Sequence, residues 1–329
     1  MKQAFICDIK GNIDKVYPQN IRKRLSCGQK VYSKTQVLED AAAFADTKYI
    51  FSTWGMPEFS EEEIKSLFPS LECVFYAAGS VQGFARPFLK IGVHIFSAWA
   101  ANAVPVAEYT VAQILLAAKG FFPSSALRSR GEQNECVKIV GRYSGNYGTK
   151  VGLIGAGMIG KKVIELLSSF DVSVCVYDPF LSDRDAEGLG VRKMPLEKLF
   201  AECEVVSNHL ANNEQTVGML NYDLFSRMMP YSTFINTGRG AQVVEDDLVK
   251  HLTERDDVYA LLDVTYPEPP KENHPFYSLD NCILTPHIAG SIGNEVHRMA
   301  EYMLAEYERY TSGQKAVYEI SEKMLETMA

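Results

Sequence analysis

Residues 151–160 read Val-Gly-Leu-Ile-Gly-Ala-Gly-Met-Ile-Gly, an apolar run that breaks into glycines at 155, 157 and 160 and then continues as a helical pattern. The spacing leaves the chain little choice of local structure. Gly155 permits a tight turn off a strand, Gly157 lets backbone approach a ligand closely, and Gly160 lets a helix pack on that strand. With Met158 and Ile159 between them, these residues open a helix whose first N–H groups favour phosphate. The next β-type run, 172–177, ends at Asp178, 21 residues after Gly157. A carboxylate there accepts from both hydroxyls of an adenosine ribose and repels a 2′-phosphate. Together these features point to a βαβ unit that binds NAD rather than NADP, although Arg184, a few residues on, leaves room for some use of the phosphorylated form.

The same alternation runs through the chain. β-type runs fall at 4–7, 49–52, 74–77 and 94–96, then at 151–154, 172–177, 205–208, 233–236, 259–262 and 282–284, with helical stretches between them. Such alternation predicts parallel sheets covered by helices, an α/β fold. A helix is expected from about Ser60 to 67, because the Ser60 hydroxyl can cap a backbone N–H while Glu61, Glu62 and Glu63 complement the helix dipole. Residues 104–119 are apolar on nearly every helical face, as at a domain junction, so a boundary is placed at their start. Residues 141–150, with three glycines, read as a loop. A long helix over 294–310 should lead the chain back to the first domain, and Ile320, Met324, Leu325 and Met328 should lie on one helical face packed against it. At 329 residues the chain has room for two domains, both doubly wound parallel sheets.

Charge and cysteine usage exclude several classes of function. The net charge of −8 repels phosphate, so neither nucleic acid nor an acidic membrane is an expected partner. Seven scattered cysteines without a C-x-x-C pair indicate neither a disulfide framework nor a metal site, and fit a reduced, cytoplasmic setting. The N-terminal residues reach a charge too soon for an export signal. The apolar stretch 104–119 is interrupted by Glu108 and Gln113 and is too short to span a bilayer.

Ligands of open α/β sheets bind beyond the carboxyl ends of the strands, and the residues found there make a chemical set. His209 follows 205–208; Thr237, Gly238 and Arg239 follow 233–236; Asp263 and then Glu268 follow 259–262; Thr285, Pro286 and His287 follow 282–284. A guanidinium can hold a carboxylate bidentately, an imidazole can move a proton near neutral pH, and a carboxylate beside the ring favours its protonated form. Arg239, Glu268 and His287 thus suit the reduction of a 2-keto acid.

With these residues in view, the chain resembles the D-isomer-specific 2-hydroxyacid dehydrogenase family. The resemblance lies in Gly152 to Gly160 with Asp178, in His209 to Leu220, in Ile235-Asn236-Thr237-Gly238-Arg239-Gly240, and in Asp263 through Glu268-Pro269, His274-Pro275-Phe276 and Thr285-Pro286-His287-Ile288-Ala289-Gly290. It implies a Rossmann-type NAD-binding domain, 103–290, inserted into a flavodoxin-like substrate domain made of 1–102 and 291–329. It further implies His287 as acid/base, Glu268 as its partner, and Arg239 as the group that binds the substrate carboxylate and carbonyl. Asp263 and Thr237 would lie near the nicotinamide carboxamide, and the backbone of Ala78, Gly79 and Ser80 would meet the substrate carboxylate. Asn102 and Glu108 match the family's pattern at the domain crossover, and a homodimer is implied. The chain departs from the family at Gln82-Gly83-Phe84-Ala85-Arg86 and at Ala211-Asn212-Asn213, where substrate choice and adenosine contacts are concerned. Trp54 and Trp99, the two tryptophans, each follow a strand of the first domain, where one of them could shape the substrate pocket or both belong to the core. His94, His251, His274 and His297 read as structural or solvated. A formate dehydrogenase, a relative on the same fold, would carry Gln where Glu268 stands. An NAD(H)-sensing regulator resembling the family's corepressor relatives is the alternative from another class, since those relatives keep the same triad.

Overall fold

The computed structural model describes residues 2–326. The chain folds as two compact units, one comprising the chain up to Asn102 and again from Ser291, the other Ala103–Gly290.

The first unit is built on five parallel strands, β1 (Gln3–Ile6), β2 (Val31–Tyr32), β3 (Tyr49–Ser52), β4 (Cys73–Tyr76) and β5 (His94–Ser97), in the order β2-β1-β3-β4-β5. Four of these are the runs expected from sequence; β2, at two residues, is too short to show alternation. Because successive side chains point to opposite faces, the register sets Phe5, Phe51, Phe75 and Phe96 side by side across one face. Their ring centroids lie 6.0, 5.1 and 4.9 Å apart. The helix Val296–Thr311 covers this row with Met299 and Met303, and Tyr307 stands edge-on to Phe51 and Phe75 at 5.5 and 5.7 Å. The opposite face buries Ile6, Ile50, Val74 and Ile95.

The tail departs from the helix expected of it. The Ile320 N–H donates to the Ile95 carbonyl and the Ser97 N–H to that of Tyr318, while Phe96 and Glu319 form an antiparallel bridge, so this backbone is committed to the β5 edge. Among the described residues a 3-10 turn, Glu322–Glu326, follows; Ile320 and Leu325 are buried in the first unit's core with Met324 beside them. Met328 lies outside the described residues.

The second unit carries seven parallel strands, β6 (Lys150–Ile154), β7 (Ser173–Tyr177), β8 (Arg192–Lys193), β9 (Val205–Asn208), β10 (Thr233–Asn236), β11 (Tyr259–Leu262) and β12 (Cys282–Leu284). Their order is β12-β11-β10-β9-β6-β7-β8, which reverses direction between β6 and β9. That is the doubly wound arrangement whose switch point binds ligands. Leu153, Val205, Ile235 and Leu261 pack on one face, Ile154, Val206, Phe234 and Leu262 on the other. The junction helix, Trp99–Ala118, starts five residues before the expected 104. Two further helices, Phe121–Ser129 and Gln133–Val140, precede β6. No helix among the described residues is long and apolar enough to cross a membrane. All seven cysteines are free thiols.

The helix expected from Ser60 is present as Glu61–Leu67 with a reciprocal cap: Ser60 Oγ accepts from the Glu63 N–H at 3.2 Å, and Glu63 Oε2 accepts from the Ser60 N–H at 2.8 Å. A Ser60→Ala variant should cost about 1 kcal/mol, read as a lower urea midpoint for the first unit.

Candidate active site

β6 ends at Ile154, and Gly155 follows with φ 98°. A Cβ on Gly155 would lie 2.9 Å from the His209 carbonyl oxygen, and one on Gly160 would lie 2.1 Å from the Gly155 oxygen. At Gly157 the space is open. The helix Met158–Leu167 starts there with no side chain capping it and no acidic residue in its first turn. Unclaimed N–H groups at a helix start beside an open glycine are what a pyrophosphate requires. Asp178 is pinned beside them, since its Oδ2 accepts from the Ala156 N–H at 2.7 Å and its Oδ1 from the Phe180 N–H at 2.8 Å. Two of the carboxylate's roughly four lone-pair positions stay open for a diol. These residues fit a dinucleotide.

His209, at the end of β9, lies beneath the glycine loop rather than facing outward. Its N–H donates to the Ile154 carbonyl at 2.8 Å, its Nε2 lies 3.0 Å from Ser207 Oγ, and its buried Nδ1 has no partner among the described residues. Burial pushes its pKa down to about 4.

Beside it, three amides fix the turn that bears Arg239. Asn208 Nδ2 donates to Asn236 Oδ1 at 3.0 Å and to Gln242 Oε1 at 2.7 Å. Gln242 Oε1 also accepts the Arg239 N–H at 3.1 Å, while Asn236 Nδ2 donates to the Arg239 carbonyl at 3.2 Å, so the residue is clamped at both ends of its backbone. Its guanidinium, mostly withdrawn from water and with its pKa lowered by that burial, donates through Nη1 to the Gly238 carbonyl at 2.8 Å. Its other N–H donors are uncommitted among the described residues. A guanidinium stays charged regardless. Thr237 is buried with its hydroxyl 3.2 Å from that of Thr110.

Asp263, after β11, is 3% exposed and faces inward. Its Oδ1 accepts from the Thr285 hydroxyl at 2.6 Å and from the Ile288 N–H at 2.9 Å, and its Oδ2 from the Ala289 N–H at 2.9 Å. The Thr285 hydroxyl hydrogen is thereby committed, so Tyr109, 3.0 Å from the same oxygen, is the donor of that pair. This turn carries His287, a non-glycine residue at φ 53°, whose N–H donates to the carbonyls of Asp263 and Thr285 at 3.0 Å. Left-handed backbone persists at such a residue only where the surroundings impose it. His287 Nδ1 lies 2.8 Å from Glu268 Oε1, both side chains partly exposed. The ring can therefore donate Nδ1–H to the carboxylate and present Nε2 for proton transfer. The loop bearing Glu268 is seated by Gly240, where a Cβ would lie 2.0 Å from the Thr265 carbonyl carbon, and by Glu245, whose Oε1 accepts from the Tyr266 N–H at 2.7 Å.

In the first unit the Ala78 N–H is spent on the Tyr76 carbonyl at 2.9 Å. Ser97 Oγ contacts the carbonyls of Ala78 and Gly79 at 2.9 and 2.6 Å. Gly79 and Ser80 keep their N–H groups uncommitted among the described residues. Asn102 Oδ1 accepts from the Ser291 N–H at 2.9 Å. Trp54 and Trp99 are half-buried against the core. His94 pairs with Glu319 at 2.6 Å, and His274 packs at a tilt against Phe276 with ring centroids 4.5 Å apart, both structural settings. Sequence reasoning brought Arg239, Glu268 and His287 to one edge of the sheet but did not single out Asn208, Gln242, Tyr109 or Glu245, whose roles lie in what their amide, hydroxyl and carboxyl groups fasten.

Residues 111–289 match the family model described as D-isomer specific 2-hydroxyacid dehydrogenase, NAD binding domain. The chain belongs to that family. Its cofactor is NAD. Among relatives of this chain, a glyoxylate reductase of Korarchaeum cryptofilum is 36% identical over 49% of the chain and 48% of its own length. A formate dehydrogenase of Neurospora crassa is 29% identical over 68% of the chain and 61% of its own length. The chain thus spans less than two thirds of these curated relatives. A phosphoglycerate oxidoreductase from Rhizobium etli shares the fold, with a TM-score of 0.80 at 20% identity over 98% of this chain and 99% of that one.

Two outcomes test the site's supports. Gly240→Ala should destabilise the second unit by about 1–3 kcal/mol through overpacking, visible as a lower thermal midpoint and, in a crystal structure, as displacement of the Glu268 loop. Because His209 resists protonation in the fold while the unfolded chain takes up its proton below about pH 6.5, it removes stability as pH falls from about 6.5 towards 4. His209→Gln should therefore lose about 2 kcal/mol less than wild type between pH 7 and pH 5 in urea titrations.

Proposed function

We propose that this chain is an NAD-dependent D-2-hydroxyacid dehydrogenase that interconverts a small 2-keto acid and its 2-hydroxy acid. The observation carrying this reading is the His287 Nδ1–Glu268 Oε1 contact of 2.8 Å beside a clamped, desolvated Arg239. The bound nicotinamide supplies the hydride in reduction and takes it up in oxidation. Everything else falls to the chain's own side chains. Arg239, with its uncommitted donors, holds the substrate carboxylate and steadies the charge that grows on the carbonyl oxygen, an interaction stronger in the transition state than in the ground state. His287 gives its Nε2 proton to that oxygen in reduction and removes it in oxidation. Glu268 orients the ring by accepting at Nδ1. Asp263 holds the turn that aims the ring.

The second unit, 103–290, is the cofactor-binding domain in this reading, with Gly155, Gly157, Met158, Ile159, Gly160 and Asp178 toward the dinucleotide, His209 supporting their loop, and Thr237 and Asp263 nearest the nicotinamide end. The first unit, with Gly79 and Ser80 offering free N–H groups beside Ala78, is the substrate domain. Glu268 rather than Gln speaks against a formate dehydrogenase, whose substrate needs no proton shuttle. Phe121, Val137 and Val140 are 48%, 64% and 48% exposed on the helices before β6, an apolar surface that supports a homodimer through the cofactor domain.

NADH oxidation by the purified chain against a panel of 2-keto acids is the test. One acid should be reduced with NADH in preference to NADPH, and His287→Ala should lower kcat about 100- to 10,000-fold with NADH affinity unchanged. No turnover on any acid, with tight NADH binding intact, would overturn the dehydrogenase reading for those acids in favour of an NAD(H)-sensing regulator.

A further inference from the structure

Beside the His287–Glu268 pair the second unit has an open pocket of about 380 Å³, bordered by the loops that follow β11 and β12 and by the 3-10 turn Pro275–Tyr277. That is within the range of small-molecule sites. Its walls are apolar: Pro269, Pro270, Leu284, Pro286 and the face of Tyr277, with Glu268 among them. No lysine, arginine or histidine lines it. The other carboxylate present, Asp263, already accepts from Thr285, Ile288 and Ala289. Glu268 spends only Oε1, on His287, and its Oε2 accepts no hydrogen bond among the described residues.

The cavity is distinct from the place where a keto acid would react. His287 is not part of its lining; the ring meets Glu268 through Nδ1, so Nε2 faces away from the carboxylate that the cavity touches. A substrate engaging Nε2 and Arg239 leaves the space behind Glu268 unfilled.

We infer that this cavity is a second ligand site, for a small amine with an aromatic or branched aliphatic body: the body against the prolines, Leu284 and Tyr277, the ammonium on Glu268 Oε2. Apolar walls beside one half-exposed carboxylate with a free oxygen select that chemistry, since an ammonium makes a charge-assisted hydrogen bond to Oε2 and beside Tyr277 also gains from the ring face. A ligand held there draws on the carboxylate that orients His287, so it regulates proton transfer without occupying the substrate's place. The binding does not depend on the dehydrogenase reading; its effect on turnover does.

The test is calorimetric titration of the full-length chain with benzylamine, phenylacetate serving as the anionic counterpart. Benzylamine should bind saturably in the millimolar range expected of so small a ligand, and phenylacetate at least about tenfold more weakly. Leu284→Trp and Tyr277→Trp each fill the cavity and should each weaken benzylamine by about tenfold or more; if one fails to fold, by circular dichroism, the other decides. In assays with a keto acid, inhibition by benzylamine should persist at saturating substrate and disappear in the filled variants. No saturable binding to wild type, unchanged affinity in the folded variants, or equal binding of phenylacetate would each overturn the site. A chain that binds benzylamine as described yet turns over no keto acid would leave the site standing and sink only the dehydrogenase reading.

Discussion

Asp263 is withdrawn from water, and removing a carboxylate from water costs several kcal/mol unless donors replace the solvent. Its donors come from a single turn, the Thr285 hydroxyl and the N–H groups of Ile288 and Ala289, and that turn holds His287 in the left-handed region. The two needs answer each other: a charge that must be solvated by protein, and a backbone conformation that must be imposed. Tyr109 extends the chain of donors back to the long helix Trp99–Ala118, so the orientation of one imidazole is tied to an element far from it in sequence.

Neighbouring strand ends use different fastenings for the same purpose. β9 and β10 are joined beyond their ends by Asn208, Asn236 and Gln242, whose amides both donate and accept and so satisfy one another while gripping Arg239. β10 and β11 are joined by the Asp263 N–H, which donates to the Asn236 carbonyl at 3.0 Å, and by Gly240 packed against the Thr265 backbone with no room for a methyl group. Arg239 and Glu268 therefore sit on turns that cannot shift independently. A reacting constellation gains from such stiffness, because small misplacements of supporting groups cost large factors in rate.

Much of this was legible in the sequence, and the reasons differ by element. The long strands were visible because buried parallel strands are runs of apolar residues, and the glycine loop because Gly155 and Gly160 meet backbone that tolerates no Cβ. Arg239, Glu268 and His287 stood out because charged groups just past strand ends have little structural excuse. β2 and β8 were not readable, being two residues each. Nor was the inward turn of Asp263: a carboxylate after a strand looks the same whether it faces a ligand or the next loop. Asn208 and Gln242 gave no signal because an amide's worth lies in partners that only the fold supplies. The tail's 3-10 turn was hidden by residues that suit a helix, overruled by backbone bonds to the β5 edge.

The phenylalanine row of the first unit carries a consequence for how the protein is made. Phe5, Phe51, Phe75 and Phe96 are all translated before residue 103, whereas the helix that covers them, Val296–Thr311, is translated after the whole of Ala103–Gly290. At ordinary elongation speeds the row waits uncovered for about 10–40 s, long compared with the folding of a small domain. The second unit, being contiguous, can complete itself in that interval. Nascent chains of this protein should thus be clients of holding chaperones through their N-terminal hundred residues, and a circular permutation that delivers the covering helix early would relieve that dependence.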